Sequence, residues 1–152
     1  MKINDYLKNH GVHFSIHEHP PAYTAQEVAA EEHISGDMLA KSVIVKAGNE
    51  YVMCVLPASY KLDMDKVADF LGAKSVRLAD ETEMAKLFPD VEVGSEPPFG
   101  GLYDLTTLVD EKLAEDDEIV FQAGSHRQVI RMTYGDYAST AEPEVADIAV
   151  HL

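Results

Sequence analysis

The chain has 152 residues, a hydrophobic fraction of 46% and a formal net charge of −15. This length suits one domain with a buried core, and the negative charge argues against DNA and anionic membranes as partners. The sequence has no apolar run near the ~20 residues of a membrane span and no signal-peptide pattern, so we expect a cytoplasmic protein. The single cysteine, Cys54, excludes an internal disulfide and is expected in the core.

The N-terminal part of the chain predicts two helices on either side of a strand. Residues 2–9 carry apolar side chains at helical spacing. Residues 12–17 alternate apolar and polar side chains, as a half-buried strand does. Thr24 precedes Glu27 by three residues, which is the spacing of a capping box and predicts a helix through Glu32.

Two apolar runs, residues 39–45 and 51–56, are separated by a segment that contains Gly48 and Asn49. This pattern predicts a β-hairpin, and the nearly continuous apolarity indicates that both of its faces are covered. Lys41 stands near the start of the first strand. A cation beside a buried core costs desolvation free energy unless an anionic or electron-rich group meets it. Lys41 is therefore the first candidate for chemistry.

The rest of the chain alternates short helices and strands. We predict a connector over 57–61, helices over 62–71 and 80–87, strands over 75–79, 102–103, 106–110, 119–124 and 129–132, and helical turns over 134–137 and 143–148. No repeat or linker interrupts the pattern, so residues 1–152 are expected to form a single domain. The predicted fold class is α/β (α+β), with a curved, mixed, mostly antiparallel, barrel-like sheet and peripheral helices.

A loop dense in glycine and proline runs from Gly94 to Gly100. Its glycines allow backbone N–H groups to approach a ligand closely, and its prolines restrict its shape. We therefore predict that Gly94, Ser95, Pro98 and Gly100 bind substrate. An ordinary rigid turn between two elements explains the same composition and stays open as the alternative.

A second polar loop, residues 123–127, lies between two apolar strands. Gly124 and Ser125 are predicted substrate-binding residues, because backbone N–H groups, a hydroxyl and the guanidinium of Arg127 suit an oxyanion or a phosphate. His126 is a candidate catalytic residue. A polar hairpin turn is the alternative. No G-x-S-x-G motif surrounds Ser125, so the sequence does not indicate a nucleophilic triad.

Three histidines, His13, His17 and His19, lie close together in the sequence. His17 and His19 are two residues apart and point to one face of a strand, which makes a metal site one interpretation. No H-x-x-x-H pattern falls on a predicted helix, and no paired cysteines accompany the histidines. A solvated strand end is the simpler interpretation, and we expect no metal and no cofactor.

These features occur in a fixed order across nearly the whole chain. The order is Lys41 before an apolar hairpin, Leu62-Asp63 opening a helix that ends at Leu71-Gly72-Ala73-Lys74, the loop from Gly94 to Pro98-Phe99-Gly100, then Val109-Asp110, then Ala123-Gly124. This ordered set resembles the YbaK/aminoacyl-tRNA synthetase-associated domain family. Its members include bacterial trans-editing deacylases and the editing domain inserted in bacterial prolyl-tRNA synthetase.

The resemblance implies an α/β fold around a curved, largely antiparallel sheet, and an enzyme that hydrolyses the ester joining a wrong amino acid to the 3′ end of a tRNA. Lys41 matches the functional lysine of the family, and the loop of residues 94–100 and Gly124 match pocket residues. The implied partner is a mischarged tRNA, bound at its 3′ acceptor end, and an aminoacyl-tRNA synthetase is an open second partner. Some members carry an aspartate where this chain has Val129 and Ile130, so no role is carried over for that acid.

As a mechanism, we hypothesise that Lys41 stays cationic near neutral pH, since an ordinary lysine has a pKa of ~10.4, and binds a phosphate or carbonyl oxygen. Backbone N–H groups near Gly94 or Gly124 are expected to stabilise the oxyanion, and His126 to assist a water nucleophile as base. The alternative is a binding module of the same fold. Such a module holds a small ligand, a nucleotide or a tRNA end and cleaves no ester.

Overall fold

The structure is a computed structural model that describes residues 2–151 of the chain. These residues form five short α-helices. The helices are α1 (Lys2–Asn9), α2 (Ala25–Glu32), α3 (Met64–Leu71), α4 (Glu81–Leu87) and α5 (Tyr134–Ala141). Within the described part of the chain, no helix is long and apolar enough to cross a bilayer.

The strands of the described residues form one large sheet and one small one. They are β1 (Ser15–Glu18), β2 (Leu39–Ala47), β3 (Glu50–Pro57), β4 (Tyr60–Leu62), β5 (Arg77–Leu78), β6 (Thr106–Asp110), β7 (Glu118–Gln122), β8 (Gln128–Thr133), β9 (Glu144–Ala146) and β10 (Ala149–His151). The large sheet has the order β1-β8-β7-β2-β3-β6-β9, with β5 also paired to β2, and β10 pairs with β4. Parallel pairs (β2–β7, β3–β6, β6–β9) occur beside antiparallel ones. The predicted mixed α/β fold is confirmed.

Strand β2 lies inside the sheet and sends apolar side chains to both faces, as predicted. Ala40 belongs to the larger core, together with Phe121 of β7. Leu39 points to the other face and packs in a second core with Ala22, which precedes α2. Because side chains alternate along a strand, Lys41 shares the face of Leu39. The candidate lysine therefore lies on the side of the sheet that α2 and its preceding segment cover.

Local sequence signals place several elements correctly. The hairpin of β2 and β3 is confirmed. The Asp63 side chain caps α3 and the Asp80 side chain caps α4 in a full capping box. Thr24 caps α2 by accepting from the Glu27 N–H (3.1 Å). Cys54 is fully buried, and burial raises its pKa to about 12, which confirms it as a core residue.

Three predicted segments are wrong in extent or type. The strand predicted over residues 12–17 begins only at Ser15, and Ser15–Glu18 is exposed rather than half-buried. Residues 102–103, predicted as strand, lie in a 3-10 turn, Gly100–Tyr103. The predicted connector over 57–61 already contains the start of β4. For β1 and β4, pairing with a distant strand, β8 or β10, determines the backbone conformation.

The C-terminal segment predicted as helical, residues 143–148, forms β9 instead. β9 pairs in parallel with β6. The turn after β9 is held by the buried Asp110, whose carboxylate accepts from the Ile148 N–H (2.9 Å) and the Lys112 N–H (3.0 Å). Asp110 and Ile148 are 38 residues apart, so the helical prediction, made from local pattern, misses this constraint.

Gly100 opens the 3-10 turn at a point that has no room for a side chain. Its N–H donates to Thr107 Oγ1 (3.0 Å). A Cβ at this position would overlap Thr107 Oγ1 and lie 2.9 Å from the carbonyl oxygen of Leu105. We expect Gly100→Ala to lower the free energy of unfolding by ~1–3 kcal/mol, measured by urea denaturation.

Gly101→Ala is the matched control for this substitution. A Cβ at Gly101 meets nothing within 4 Å, so we expect a change of less than ~0.5 kcal/mol. Equal losses for the two alanine variants would contradict the packing described around Gly100.

Candidate functional site

Lys41 is half-buried beside the corner that joins β3 to β4. Its Nζ donates to the carbonyl oxygens of Ala58 (3.3 Å) and Tyr60 (2.5 Å). Burial lowers the pKa of Lys41, and the described residues place no carboxylate within ion-pair distance of its Nζ. Electron-rich carbonyl groups therefore meet the cation. An ammonium has three N–H donors, so two carbonyl contacts leave one donor for a ligand.

The two loops predicted from the sequence lie side by side. The Gly124 N–H donates to the Ser95 carbonyl oxygen (2.9 Å), and the Glu92 N–H donates to the Gly124 carbonyl oxygen (3.0 Å). Gly94 and Gly124 have φ values of 94° and 92°, a conformation that favours glycine. We call residues 92–100 and 123–127 together the loop pair.

His126 is buried at the centre of the loop pair, with 7% of its surface exposed. Its Nε2 lies 2.9 Å from the Val93 carbonyl oxygen, and its Nδ1 lies 3.2 Å from Gln122 Oε1. A carbonyl oxygen only accepts, so Nε2 carries a proton and donates it. The lone pair that a general base needs is therefore not at Nε2, and Nδ1 already contacts the Gln122 amide. In this geometry His126 braces the loop pair, and its catalytic role stays a prediction.

Gln122 connects the loop pair to Lys41. Strands β2 and β7 run parallel, with Ala40 opposite Phe121. Lys41 and Gln122 are the next positions on the two strands, and their side chains share a sheet face by alternation. Gln122 in turn contacts the His126 ring. The sheet thus brings the predicted lysine and the two predicted loops to one region.

The backbone N–H groups expected to meet an oxyanion are used inside the loop pair. The Gly94 N–H donates to Glu96 Oε2 (2.9 Å), and the Gly124 N–H donates to Ser95. Each backbone N–H has one proton to donate. The N–H groups of Gly94 and Gly124 themselves are therefore already used in this conformation, and the oxyanion contact expected near these residues stays a prediction.

Three other predicted substrate-binding residues hold the shape of the loop pair. Ser95 Oγ donates to a backbone carbonyl oxygen three residues earlier (2.6 Å). The Pro98 carbonyl oxygen accepts from the hydroxyl of the buried Tyr137 (2.8 Å), and Gly100 packs against Thr107. These groups are buried, and the substrate contacts predicted for them stay a prediction. Ser125 differs, because it lines an open cavity.

Three further residues complete the region, and the sequence patterns did not single them out. Glu96 is a nearly buried carboxyl within the loop pair. Gln122 is a polar residue at the end of an apolar strand, directly before Ala123 and Gly124, which is a weak signal. The ring centroid of Tyr23 lies 4.7 Å from that of His126, a contact between segments about a hundred residues apart that local patterns do not reveal.

The N-terminal histidines do not gather around a common point. His17 Nδ1 lies 3.3 Å from Glu32 Oε1. His19 Nδ1 donates to the Pro20 carbonyl oxygen (2.7 Å). Across residues 2–151, no group of three or more His, Cys, Asp and Glu side chains has an arrangement that could hold a metal ion. The metal interpretation of this cluster has no support from the described residues.

Residues 19–140 match the model of the aminoacyl-tRNA editing domain family. The chain belongs to this family. The match includes Lys41 and both parts of the loop pair, and it confirms the resemblance drawn from the order of the sequence features. The editing-domain chain therefore has its candidate site inside the region that defines the family.

Relatives of this editing-domain chain include both free-standing proteins and parts of synthetases. It is 27% identical to the multifunctional Ser/Thr-tRNA deacylase ProXp-y of Escherichia coli K12. The alignment spans 146 residues and covers 93% of this chain and 87% of that protein. It is 29% identical to the proline–tRNA ligase of Macrococcus caseolyticus. That alignment spans 137 residues and covers 84% of this chain and 24% of the ligase. The crystal structure of hypothetical protein APE2540 superposes with a TM-score of 0.90 at 22% identity, over 99% of this chain and 100% of that chain, and shows the same fold.

The ionisation of Glu96 makes the folding stability depend on pH. Burial raises the pKa of the Glu96 carboxyl, and the hydrogen bond from the Gly94 N–H opposes part of this shift. A raised pKa in the folded state means that the folded protein holds the proton more tightly than the unfolded chain does. The stabilising contribution is therefore present below the pKa of the unfolded carboxyl, ~4.3, and is lost as the pH rises through the folded pKa.

We expect the stability of Glu96→Gln relative to the wild type to increase between pH 4 and pH 8, because glutamine cannot ionise. Urea denaturation at both pH values measures this difference. The exposed Glu111→Gln is the control and should show no such trend. A relative stability of E96Q that falls over the same interval would show that ionised Glu96 stabilises the fold.

Proposed function

We propose that this protein is an aminoacyl-tRNA deacylase that acts in trans, hydrolysing the ester between a wrongly attached amino acid and the terminal ribose of a tRNA. The observation that carries the proposal is the Lys41 ammonium. It is half-buried, it is held by two backbone carbonyl oxygens, and the described residues give it no carboxylate partner. A desolvated cation with an unused donor suits the oxygen on which charge develops during ester hydrolysis. Membership of the editing-domain family supports the same chemistry.

In the proposed step, a water oxygen attacks the carbonyl carbon of the ester. Lys41 Nζ donates a hydrogen bond to the carbonyl oxygen as it becomes an oxyanion. The bond from the carbonyl carbon to the ribose oxygen then breaks, and the proton from the water ends on that ribose oxygen. The products are the free amino acid and a tRNA with its hydroxyl restored. An aminoacyl ester is already activated, so positioning and one charge-stabilising donor, typically worth ~10²–10³ in rate, supply most of what is needed.

The net charge of −15 limits how a tRNA binds. Lys46 and Arg131 have acidic partners, Glu83 at 3.9 Å and Glu118 at 3.5 Å. Lys46 also lies five positions after Lys41, so its side chain leaves the opposite face of β2. Carboxylates offset the charges of both residues, so neither adds an unpaired charge beside Lys41. We infer that the protein contacts the 3′ acceptor end and leaves the body of the tRNA unbound.

Seryl- and threonyl-tRNA are the first substrates to test, because the relative from E. coli is named a Ser/Thr-tRNA deacylase. Alanyl- and cysteinyl-tRNA(Pro) follow, because the chain is also similar to proline–tRNA ligases. An apolar pocket separates side chains that differ by one methylene by only ~1–3 kcal/mol. We therefore expect a ranking of these esters rather than activity on one alone.

Lys41→Ala should lower the single-turnover rate of deacylation by ~10²–10³ on the best of these four substrates. Lys41→Met tests the same loss of charge while it keeps most of the apolar stem. Lys61→Ala, which removes an exposed lysine of β4, is the matched control and should retain the wild-type rate. Thermal unfolding of each variant separates loss of activity from loss of fold.

The mechanism is wrong if folded K41A and K41M proteins hydrolyse as fast as the wild type. The deacylase proposal as a whole fails if the wild type cleaves none of the four esters, with or without an added aminoacyl-tRNA synthetase. Binding of uncharged tRNA in that case would favour a binding module of the same fold.

A further inference from the structure

We propose that Tyr23 and the cavity beside it form a binding surface for an unpaired RNA nucleotide, with the base stacked on Tyr23 and a phosphate on Arg127. The inference rests on the proposed function, because it assigns a holding surface to the single-stranded 3′ end of the tRNA. Three features support it: an anchored but exposed ring, and, among the described residues, a guanidinium without a carboxylate partner and two buried polar atoms without hydrogen-bond partners.

Tyr23 is 65% exposed although its backbone is held on both sides. The Ala22 N–H donates to the His126 carbonyl oxygen (2.9 Å), and Thr24 begins α2 as its N-cap. The planes of the Tyr23 and His126 rings meet at 45° with their centroids 4.7 Å apart. Part of the Tyr23 ring thus covers the brace of the loop pair, and most of it faces solvent.

An exposed and anchored aromatic ring is the usual platform for an unpaired nucleobase. The backbone beside the Tyr23 ring is already ordered, so a ligand that binds there costs the protein little conformational entropy. The loop pair offers a second exposed apolar side chain, Val93, whose carbonyl oxygen contacts His126. The apolar surface around His126 is therefore open to a flat ligand that approaches the candidate site.

A cavity of about 310 Å³ adjoins the same segment. It is lined by Glu18, His19, Ser125, Arg127 and Gln128. The His19 N–H donates to the Arg127 carbonyl oxygen (2.8 Å), so residues 19–23 run beside residues 126–127 and bring Tyr23 and the cavity together. The Arg127 side chain is exposed, and no described carboxylate lies within ion-pair distance of it. A guanidinium in this state suits a phosphate group.

Two residues of this cavity carry buried polar atoms that lack hydrogen-bond partners among the described residues. These atoms are His19 Nε2 and Gln128 Oε1. The His19 Nδ1–H donates to the Pro20 carbonyl oxygen, so Nε2 of the neutral ring is an acceptor. Buried polar atoms without partners are rare in folded proteins. A ribose hydroxyl is one donor that would satisfy either atom once a ligand displaces the side chains that cover it, whereas a fully ionised anion offers no donor.

The test makes use of the absence of tryptophan from the chain. Tyr23→Trp introduces one tryptophan whose fluorescence reports stacking directly. The full-length protein is titrated with an uncharged RNA hairpin that ends in a four-nucleotide 3′ overhang, and with the same hairpin made blunt. We expect the overhang RNA to quench the fluorescence and the blunt RNA to leave it unchanged. Phe70→Trp, at a 43% exposed position on α3, is the matched control and should not be quenched.

The affinity of the protein without an introduced tryptophan for the overhang RNA gives a second measurement. Tyr23→Ala and Tyr23→Leu should each raise the Kd for the overhang RNA about tenfold, whereas Tyr23→Phe should keep it. Leucine still covers His126 but has no aromatic ring, so this variant distinguishes loss of base stacking from loss of the apolar contact with His126. Arg127→Gln should reduce the slope of log affinity against log salt concentration by ~0.7, the effect of one phosphate contact on a single strand. Arg131→Gln, whose native side chain pairs with Glu118, should leave the slope unchanged.

The proposal is overturned if Y23L binds the overhang RNA as tightly as the wild type does, or if the reporter at position 23 responds equally to the blunt hairpin. These measurements use uncharged RNA and do not depend on hydrolysis. A protein that binds through Tyr23 and cleaves no ester loses its proposed function but keeps this surface. If the protein cleaves esters and Tyr23→Leu does not change RNA binding, the proposed surface is wrong and the proposed function stands.

Discussion

The reciprocal hydrogen bonds between Gly124 and residues 92–95 hold the candidate site together. Both segments are largely buried loops, and buried backbone groups must find partners. They find them in each other, and glycines with positive φ allow the two chains to approach in this way. The His126 ring adds a third contact, a hydrogen bond to the Val93 carbonyl oxygen, and it also contacts Gln122 at the end of β7. The position of the loop pair relative to Lys41 is therefore determined by the sheet, although neither loop belongs to it.

Lys41 shows how an acidic protein keeps a usable positive charge. The chain has 27 acidic and 12 basic residues, so a carboxylate partner would be easy to supply. Such a partner would stabilise the cation, but it would also cancel the field that a developing oxyanion needs. The carbonyl oxygens of Ala58 and Tyr60 offset part of the desolvation cost and leave the charge in place.

The sequence predicted those parts of the fold that are decided locally. The β2–β3 hairpin, the start of α2 at the Thr24 cap and the burial of Cys54 follow from patterns a few residues long. Residues 143–148 were mispredicted because their extended conformation depends on pairing with β6 and on the Asp110 carboxylate. The site divides in the same way. Lys41 and the two loops are visible in the sequence, whereas the role of His126 depends on Val93, which is 33 residues away.

The hydrogen bonds of His126 bear on how the proposed hydrolysis proceeds. Its ring joins Val93 to Gln122, so a proton transfer through it would break a buried hydrogen bond, at a cost of ~1–3 kcal/mol. A peptide bond would demand such a base, but an aminoacyl ester is activated enough to be cleaved without one. In the proposed mechanism Lys41 is the donor to the oxyanion, and one well-placed donor supplies ~2.7–4 kcal/mol of transition-state stabilisation. Under the proposed function, the braced loop pair and the Lys41 ammonium, which has no carboxylate partner among the described residues, therefore suit an ester substrate, and His126 serves as a brace.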